Sequence, residues 1–329
     1  MYPRPGTRPS HTVAFMEYMF RSPRPDDLPA VAELVREVEA ADYGEAEDPT
    51  ERLGVGFRLI DRERDAWVVE DGEGRIVAGG MVRVRHPTRL RSFGLVRPAH
   101  TGRGLGSELL RRIERRGREL ARQAPEGETV YLGQEVGPLN PRARELLEQN
   151  GFELARHFWK MGIDLAAEPP EPAWPEGVRV ETMQPGQERE IFDASEEAFQ
   201  DHWDHQPHDY DEWRAWMQVE SFDPSLWLLA RDGEEIAGVS LCSVAPEDEE
   251  GWIGVLGVRR PWRRRGLGKA LLLESFRRLR ARGVPRAVLG VDAANPTGAT
   301  RLYEGAGMSV VFESAAYRKD LTDRSIEAD

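Results

Sequence analysis

Residues 251–268, GWIGVLGVRRPWRRRGLG, place a short apolar run before a basic turn that is rich in glycine. Positions 251–258 hold Val, Ile and Leu between glycines, a composition that predicts a buried strand. Positions 269–282 carry a helical pattern. A basic turn between a strand and a helix predicts an anion site, because the first helical turn leaves N–H groups unpaired and carries partial positive charge.

The residues of this turn suit a pyrophosphate. Gly266 and Gly268 have no Cβ, so a phosphate group can approach the backbone closely. Arg263, Arg264 and Arg265 can add charge-assisted hydrogen bonds. The turn therefore predicts a ligand that carries a diphosphate.

The same design occurs earlier in the chain. Residues 92–106, SFGLVRPAHTGRGLG, again contain a short apolar run, a proline, a basic turn and a Gly-Leu-Gly triplet, 162 residues before the second triplet. Flanking segments also match, since AWVVEDGEGRIVAGG corresponds to LWLLARDGEEIAGVS and ELLEQNGF to RLYEGAGM. A period this long indicates a duplicated domain and excludes a solenoid.

The duplication predicts the division of the chain. We expect a disordered tail over 1–15, units over 16–167 and 178–321, a proline-rich linker over 168–177 and a tail over 322–329. Each unit is predicted to be an α/β domain, an α+β mixed sheet with helices on both faces. Two short closing strands are expected at the end of each unit. The second unit supplies an intramolecular partner for the first, so we expect a monomer.

Composition excludes several classes of protein. The chain has 329 residues and a net charge of −13, which argues against general nucleic-acid binding. The single cysteine, Cys242, excludes an internal disulfide and a cysteine zinc site. No apolar run approaches the roughly 20 residues of a membrane helix, and the N-terminus lacks the apolar segment of a secretory signal. We therefore expect a cytoplasmic protein without a membrane partner.

Two signatures in the second unit resemble those of the GNAT acetyltransferase superfamily. Its phosphate turn, [Gln/Arg]-x-x-Gly-x-[Gly/Ala], is matched in full by residues 263–268. Its second signature is matched by Asn295, by Tyr303 and by Gly307, which follows the tyrosine by four residues. The tandem layout is similar to that of mycothiol synthase-like double-domain acetyltransferases, and the resemblance covers about residues 16 to 321.

The resemblance implies acetyl-CoA as co-substrate and no metal. Backbone N–H groups of the turn would hold the diphosphate, and the pantetheine arm would lie along the fourth strand where it splays from the fifth. The N–H of Val258 or its neighbour would stabilise the oxyanion, and Tyr303 would act as general acid. The residues implied in cofactor binding are Leu256, Gly257, Val258, Arg263, Arg264, Arg265, Gly266, Leu267, Gly268, Lys269 and Asn295.

The first unit departs from the pattern. Thr101 stands where the signature has Gln or Arg, and Leu147 stands where the second unit has Tyr303. We interpret this half as non-catalytic: either it supports the fold and binds CoA without turnover, or its glycines serve packing only. The positions that would form its cradle are Gly94, Leu95, Val96, Gly102, Arg103, Gly104, Leu105 and Gly106.

The loop 200–213, QDHWDHQPHDYDEW, would cover the acceptor pocket in this superfamily, with His202 and Trp203 as substrate contacts. Glu250, His205 or water would take the amine proton. The histidine spacing in this loop is not a zinc pattern. In mycothiol synthase-like sequences a glutamate lies on the fourth strand where this chain has Trp252, which disfavours mycothiol synthesis.

The sequence therefore predicts a CoA-dependent N-acyltransferase that acetylates a primary amine and is active in its second unit. The acceptor would be a small molecule or a peptide. The alternative is a non-catalytic protein that binds or senses acyl-CoA. A P-loop protein is excluded, since no Gly-Lys-Ser/Thr follows the turn.

Overall fold

A computed structural model describes residues 17–244 and 250–322. The tail predicted over 1–15 lies outside these residues, as does the tail after Thr322. The strands, numbered along the chain, are β1 Met19–Arg21, β2 Ala66–Glu70, β3 Ile76–His86, β4 Arg89–Val96, β5 Tyr131–Val136, β6 Glu153–Asp164, β7 Val178–Thr182, β8 Trp227–Asp232, β9 Glu235–Val244, β10 Glu250–Val258, β11 Arg286–Asp292 and β12 Ser309–Asp320. The helices are α1 Leu28–Tyr43, α2 Thr50–Leu59, α3 Arg62–Asp65, α4 Leu105–Ala121, α5 Pro141–Gln149, α6 Glu188–Phe199, α7 Tyr210–Ala215, α8 Leu267–Ala281 and α9 Ala299–Glu304.

Within the described residues, the strands of both units form one twelve-stranded sheet in the order β1-β2-β3-β4-β5-β12-β6-β11-β10-β9-β8-β7. Most neighbours are antiparallel, but β4 pairs with β5 and β10 pairs with β11 in parallel. The mixed α/β fold predicted from the sequence is therefore confirmed. The repeat also appears in the element order, since each unit places a long helix, α4 or α8, directly after its fourth strand.

The two units exchange their last strands. β12, from the end of the chain, lies between β5 and β6, and β6 in turn lies between β12 and β11. The expectation that each unit closes its own sheet with two short strands is therefore wrong. The segment Ala-Arg-His at 155–157 contains no turn residue, so the chain continues as a single long strand and no hairpin forms there.

The apolar cores show the same exchange. Met161 of β6 is fully buried in the core of the second unit, beside residues such as Phe276 and Leu289. Tyr317 of β12 is buried in the core of the first unit, in one cluster with Ile113 and Leu132. Each unit thus completes its core with a strand from the other. The boundaries at 167 and 178 remain predictions about the division of the sequence into units. The twelve-stranded sheet is continuous across both units.

Candidate active site

The basic turn of the second unit presents unpaired backbone donors. Arg264 and Gly266 both have positive φ, +62° and +86°, and α8 begins directly after Gly266. Across the part of the chain that the structure describes, the N–H groups from Arg264 to Lys269 have no hydrogen-bond partner. The side chains of Arg264, Arg265 and Lys269 are exposed and have no carboxylate partner among the same residues. Free N–H groups and free cations together form an anion cradle.

Arg263 has a different role from its neighbours. Its guanidinium donates to the backbone oxygen of Val258 (2.9 Å) and of Ala198 (3.0 Å), and it pairs with Asp201 (2.6 Å). Hydrogen bonds from Arg260 and Arg263 hold the pKa of Asp201 well below its usual range. The Arg263 side chain therefore fixes the turn to β10 and α6, and its guanidinium is already occupied.

A gap opens between the two parallel strands of the second unit. β10 and β11 are paired only from Glu250 to Trp252, whereas β10 stays paired with β9 up to Val258. The N–H of Arg259 donates to Ala237 (3.0 Å) on the β9 side. Hydrogen-bonded and non-bonded pairs alternate along an antiparallel ladder, so the polar groups of Leu256 and Val258 point away from β9 and into the gap. This is the edge that the sequence predicted for a pantetheine arm.

Gly257 lies between these two residues, and its side-chain position is on the opposite face of the strand from theirs. A Cβ there would lie 2.8 Å from the Cβ of Ala198 and 3.2 Å from the ring of Phe199. The end of α6 therefore rests directly on β10 and requires glycine at this position.

Tyr303 lies at the centre of the second unit. It is 7% exposed and belongs to the apolar cluster that includes Leu289 of β11 and is flanked by Leu256 of β10. Burial raises its pKa to about 12, so the hydroxyl stays protonated at neutral pH. No hydrogen-bond partner for this hydroxyl occurs in residues 17–244 and 250–322.

Gly268 lies where the basic turn, the end of β10 and helix α9 meet. A Cβ on this residue would lie 3.6 Å from Leu302, the neighbour of Tyr303 in α9, and 3.6 Å from Val258. The side chain of Leu267 is buried beside it, in the core. Asn295 precedes α9, and its Oδ1 accepts hydrogen bonds from the backbone N–H (2.8 Å) and hydroxyl of Thr297. Asn295 thus shapes the loop that leads into the tyrosine helix.

The first unit repeats this geometry. β4 and β5 separate after Ser92, and the N–H of Arg97 donates to Val77 (2.9 Å), so the polar groups of Gly94 and Val96 face the gap. Gly102 and Gly104 have φ of +76° and +83°. The equivalents in the second unit are Leu256 and Val258 for the strand, and Arg264 and Gly266 for the turn.

The first unit also differs from the second at several positions of the site. Leu147, which is only 1% exposed, stands where the second unit has the tyrosine, so this half lacks the phenol. The amide nitrogen of Gln134 would lie 3.7 Å from a Cβ on Gly94, at the entrance of the gap. Arg103 donates to the hydroxyl of Tyr18 (3.0 Å). The side chains of Leu95 and Leu105 pack in the core, and a Cβ on Gly106 would lie 3.4 Å from Leu146.

A cavity of about 610 Å³ lies over the middle of the sheet and extends to both gaps. Trp252, where β10 and β11 separate, and Gln134, where β4 and β5 separate, both line it. Its floor comes from β4, β5, β6, β11 and β12. Its roof is the loop after α6, and the roof residues are His202, Trp203, Asp204, His205, Gln206 and His208.

The roof connects the two units. Asp204 of the second unit pairs with Arg89 of the first (2.7 Å), and Asp204 itself has φ of +54°. The ring of Trp203 lies 5.0 Å from the guanidinium of Arg156 on β6. His202 and Trp203, predicted as acceptor contacts, therefore lie where a molecule in the cavity would touch them.

His202 is held close to the gap of the second unit. Its ring stacks on Phe199 at 4.3 Å, and Phe199 rests against Gly257 of β10. Burial, reinforced by the nearby His205, lowers the pKa of His202 below 6.5. His202 is thus a neutral imidazole at neutral pH, able to accept a proton. The sequence placed it among the substrate contacts and did not assign it this capacity.

The two base candidates named from the sequence have other partners. The Glu250 carboxylate lies 2.7 Å from the ammonium of Lys160 and 2.8 Å from the guanidinium of Arg286. Both carboxylate oxygens of Glu250 therefore already contact a cation. His205 lies 3.6 Å from Glu196, which also contacts His208 at 2.6 Å.

Lys160 is the centre of this network. It is buried, and its ammonium also lies 2.7 Å from Glu45 and 2.8 Å from Glu47. Burial by itself would lower the pKa of Lys160, but the three carboxylates outweigh it and raise that pKa.

Among residues 17–244 and 250–322, no three His, Cys, Asp or Glu side chains come together in a way that could hold a metal ion. No helix in the same residues is long and apolar enough to cross a membrane.

The acetyltransferase (GNAT) family matches this chain twice, over residues 29–152 and 189–308. A mycothiol acetyltransferase from Thermobispora bispora is 33% identical over 231 residues, which is 68% of this chain and 74% of that protein. A mycothiol acetyltransferase from Nocardioides sp. is 29% identical over 308 residues, 86% of this chain and 94% of that protein.

Among solved structures, a GCN5-related N-acetyltransferase from Sphaerobacter thermophilus superimposes with a TM-score of 0.77 at 35% identity, over 92% of this chain and 96% of that one. A tandem GNAT protein from the clavulanic acid biosynthesis pathway superimposes with a TM-score of 0.69 at 19% identity, over 93% and 99%. The second likeness shows the shared fold alone.

Proposed function

Because this chain belongs to the GNAT acetyltransferase family and is thus an N-acetyltransferase that uses acetyl-CoA, we propose that its second unit acetylates a primary amine of a small molecule or short peptide. One observation supports the proposal: the turn with the unpaired N–H groups meets the open edge of β10 at Gly268, which lies beside Val258 and beside Leu302 of α9, and Tyr303 is buried in the cluster against which Leu256 packs. The first unit shares the first two features and lacks the third.

We propose that acetyl-CoA binds along this gap. Its diphosphate would accept hydrogen bonds from the N–H groups of residues 264–269, and Arg264, Arg265 and Lys269 would add charge. Its pantetheine arm would pair with the free backbone polar groups of Leu256 and with the N–H of Val258, whose oxygen is held by Arg263, as an added strand does. The thioester would then lie near the β10 edge, beside the cavity.

The proposed reaction is a direct transfer. The amine nitrogen attacks the thioester carbonyl carbon, a C–N bond forms, and the C–S bond breaks with its electron pair on the CoA sulfur. The N–H of Val258, which faces the gap, would stabilise the oxyanion. The sulfur would take a proton from the Tyr303 hydroxyl.

We propose His202 as the acceptor of the amine proton. Its stacking on Phe199 keeps it over β10, and its lowered pKa keeps it neutral. Glu250 is less suitable because Lys160 and Arg286 already hold its carboxylate. His205 and water remain the alternatives.

For the first unit, we propose that it binds CoA without turnover. The positive φ of Gly102 and Gly104 and the free edge at Gly94 and Val96 support binding. Leu147 supports the absence of turnover, since a leucine cannot donate a proton to the sulfur.

The acceptor is not carried over from the relatives. Two of those cited are mycothiol acetyltransferases. The resemblance described in the sequence analysis implies a glutamate in mycothiol synthase-like sequences where this chain has Trp252. The alternative function, an acyl-CoA-binding protein without turnover, is disfavoured by the intact Tyr303.

The test is acetyl-CoA consumption with a panel of primary amines, compared between the wild type and Tyr303→Phe. Tyr210→Phe is the matched control, because Tyr210 packs against Phe192 and Trp213 and, although it follows the roof loop, does not line the central cavity. We expect Tyr303→Phe to reduce kcat by about 100-fold and Tyr210→Phe to leave it unchanged. Full activity in Tyr303→Phe would remove that residue from the mechanism, and saturable acetyl-CoA binding without turnover on any amine would support the alternative function.

A further inference from the structure

The floor of the central cavity is one continuous face of the sheet, and it is rich in arginine. Residues directly opposite each other in a ladder point to the same side. Arg83 is paired with Arg91, and Arg318 with Gly133, which is also paired with Arg91. The side chains of Arg91 and Arg318 therefore lie on the same face, and both line the cavity.

Most of these cations have a carboxylate partner. Arg89 pairs with Asp204 (2.7 Å), Arg91 with Glu135 (2.9 Å) and Arg156 with Asp292 (3.7 Å). Arg83 pairs with Glu212, and Lys160 has three carboxylates. The floor is thus built of neutralised pairs with two exceptions.

The exceptions are Arg85 and Arg318. Over the described ranges 17–244 and 250–322, no carboxylate lies within 4.0 Å of either guanidinium. The Arg318 guanidinium lies over the ring of Tyr131 at 4.5 Å, and Arg89 lies over the same ring at 5.0 Å. Stacking orients a guanidinium and leaves the N–H groups at its edge free to donate.

Arg85 is directed by a bulge. The pairing of β3 with β4 shifts register between Val84 and His86, so Arg85 is the extra residue of that bulge. A bulge turns a side chain away from the regular alternation. The pKa of Arg85 lies below its usual value, because neighbouring protein atoms desolvate its guanidinium and Arg83 and Arg91 add like charge, which Glu212 offsets in part; the residue as a whole is exposed. A bound anion would relieve both effects.

We propose that the unpaired Arg85 of β3 and Arg318 of β12, on either side of β4 and β5, make the first unit's half of the cavity an anion-binding subsite, and that the amine acceptor carries a carboxylate or phosphate group there. The proposal rests on the proposed function, which places the amine at the other end of the cavity, near Trp252 and His202. The first unit, without its phenol, would then hold the substrate that the second unit acetylates.

The spacing of the two ends indicates an elongated acceptor. Phe312 of β12 lies at the level of Lys160 and Gly290, close to the gap of the second unit, whereas Arg318 lies six residues further along the same strand. Six residues of strand span roughly 20 Å, and the length of the Arg318 side chain shortens the distance that the acceptor must cover. An acceptor that touches both ends has its amine and its acid group far apart, as in a short peptide or a substituted glycoside.

The subsite can be tested without knowing the acceptor. Inorganic phosphate and succinate are titrated calorimetrically into the full-length protein with saturating CoA, which occupies the CoA sites. We expect wild type to bind at least one of them with an affinity that falls with ionic strength. Arg85→Gln/Arg318→Gln should weaken that binding by about tenfold or more. Arg115→Gln/Arg122→Gln, which removes two exposed cations of α4 and its end, is the matched control and should bind as wild type does.

The outcomes separate clearly. Binding of phosphate but not succinate supports a phosphorylated acceptor, and the reverse supports a carboxylate. Equal binding by wild type and by the Arg85/Arg318 variant, or no binding of either anion to wild type, would overturn the subsite. CoA affinity, measured separately in Arg264→Gln/Arg265→Gln, tests the proposed function. If this variant binds CoA as wild type does, the proposed CoA site is wrong and the anion-binding result is unaffected. If the CoA site is confirmed but the anion titration fails, the subsite is wrong.

Discussion

The Nη1 atom of Arg263 lies 2.6 Å from the Oδ2 atom of Asp201, and this ion pair joins the turn that we propose to bind CoA to the loop that covers the cavity. Asp201 also pairs with Arg260, and both arginines keep the pKa of its carboxyl low enough for the pair to persist in weak acid. The proposed cofactor site and the proposed acceptor site are therefore mechanically connected.

We predict that Asp201→Asn raises KM for acetyl-CoA and for the acceptor together, by about three- to tenfold. Both side chains of the pair are partly exposed, so thermal stability should change little. Glu274→Gln, which removes another surface ion pair with Arg278 in α8, is the control. Steady-state kinetics with both substrates varied is the measurement, and a change confined to one substrate would contradict the connection.

Gly266 allows backbone strain to be separated from CoA binding. With φ of +86° and nothing within 4 Å of an added Cβ, Gly266→Ala introduces strain without a clash. We predict a loss of about 1–2 kcal/mol in the free energy of unfolding, measured by urea denaturation. Gly283→Ala, at φ of +82° and equally open, should lose a similar amount. The CoA dissociation constant should rise in Gly266→Ala and not in Gly283→Ala, and an equal rise in both would argue against the cradle.

The pKa of His202 predicts the pH profile. Because burial lowers this pKa below 6.5, the imidazole stays neutral at neutral pH and becomes protonated only in acid. The rate constant kcat/KM should therefore be constant near pH 7 and fall as the pH drops through the His202 pKa. Tyr303, with a pKa raised to about 12, predicts no alkaline loss up to pH about 10. His202→Gln should remove the acidic limb, and an unchanged limb in that variant would assign the base elsewhere.

The strand exchange predicts cooperative unfolding. Met161, on β6, packs in the core of the second unit, so Met161→Ala should destabilise by about 2–5 kcal/mol. Since each core contains a strand of the other unit, calorimetry should show one transition for the whole chain, in wild type and variant alike. Two separate transitions, with Met161→Ala shifting only that of the first unit, would contradict the exchange.

The cradle could be predicted from the sequence because it is local. A strand, a Gly-x-Gly turn and a helix follow one another within about 30 residues, and the backbone conformation at Gly266 depends on its neighbours.

The strand exchange could not be predicted in this way. β6 and β12 have similar local patterns, and local pattern does not decide whether β5 pairs with one or the other. The ion pair of Glu250 with Lys160 likewise joins residues 90 positions apart. The cationic floor did leave a signal, since Arg83, Arg85, Arg89 and Arg91 alternate with apolar residues within β3 and β4, but the partners that neutralise three of them come from distant segments.

A crystal structure of the protein with acetyl-CoA tests the central claim most directly. Our account predicts the diphosphate on the N–H groups of residues 264–269, the pantetheine arm beside Leu256 and Val258, and the sulfur within hydrogen-bonding reach of the Tyr303 hydroxyl. Acetyl-CoA bound with its sulfur in the first unit alone, or in the second unit with the sulfur turned away from Tyr303, would contradict it.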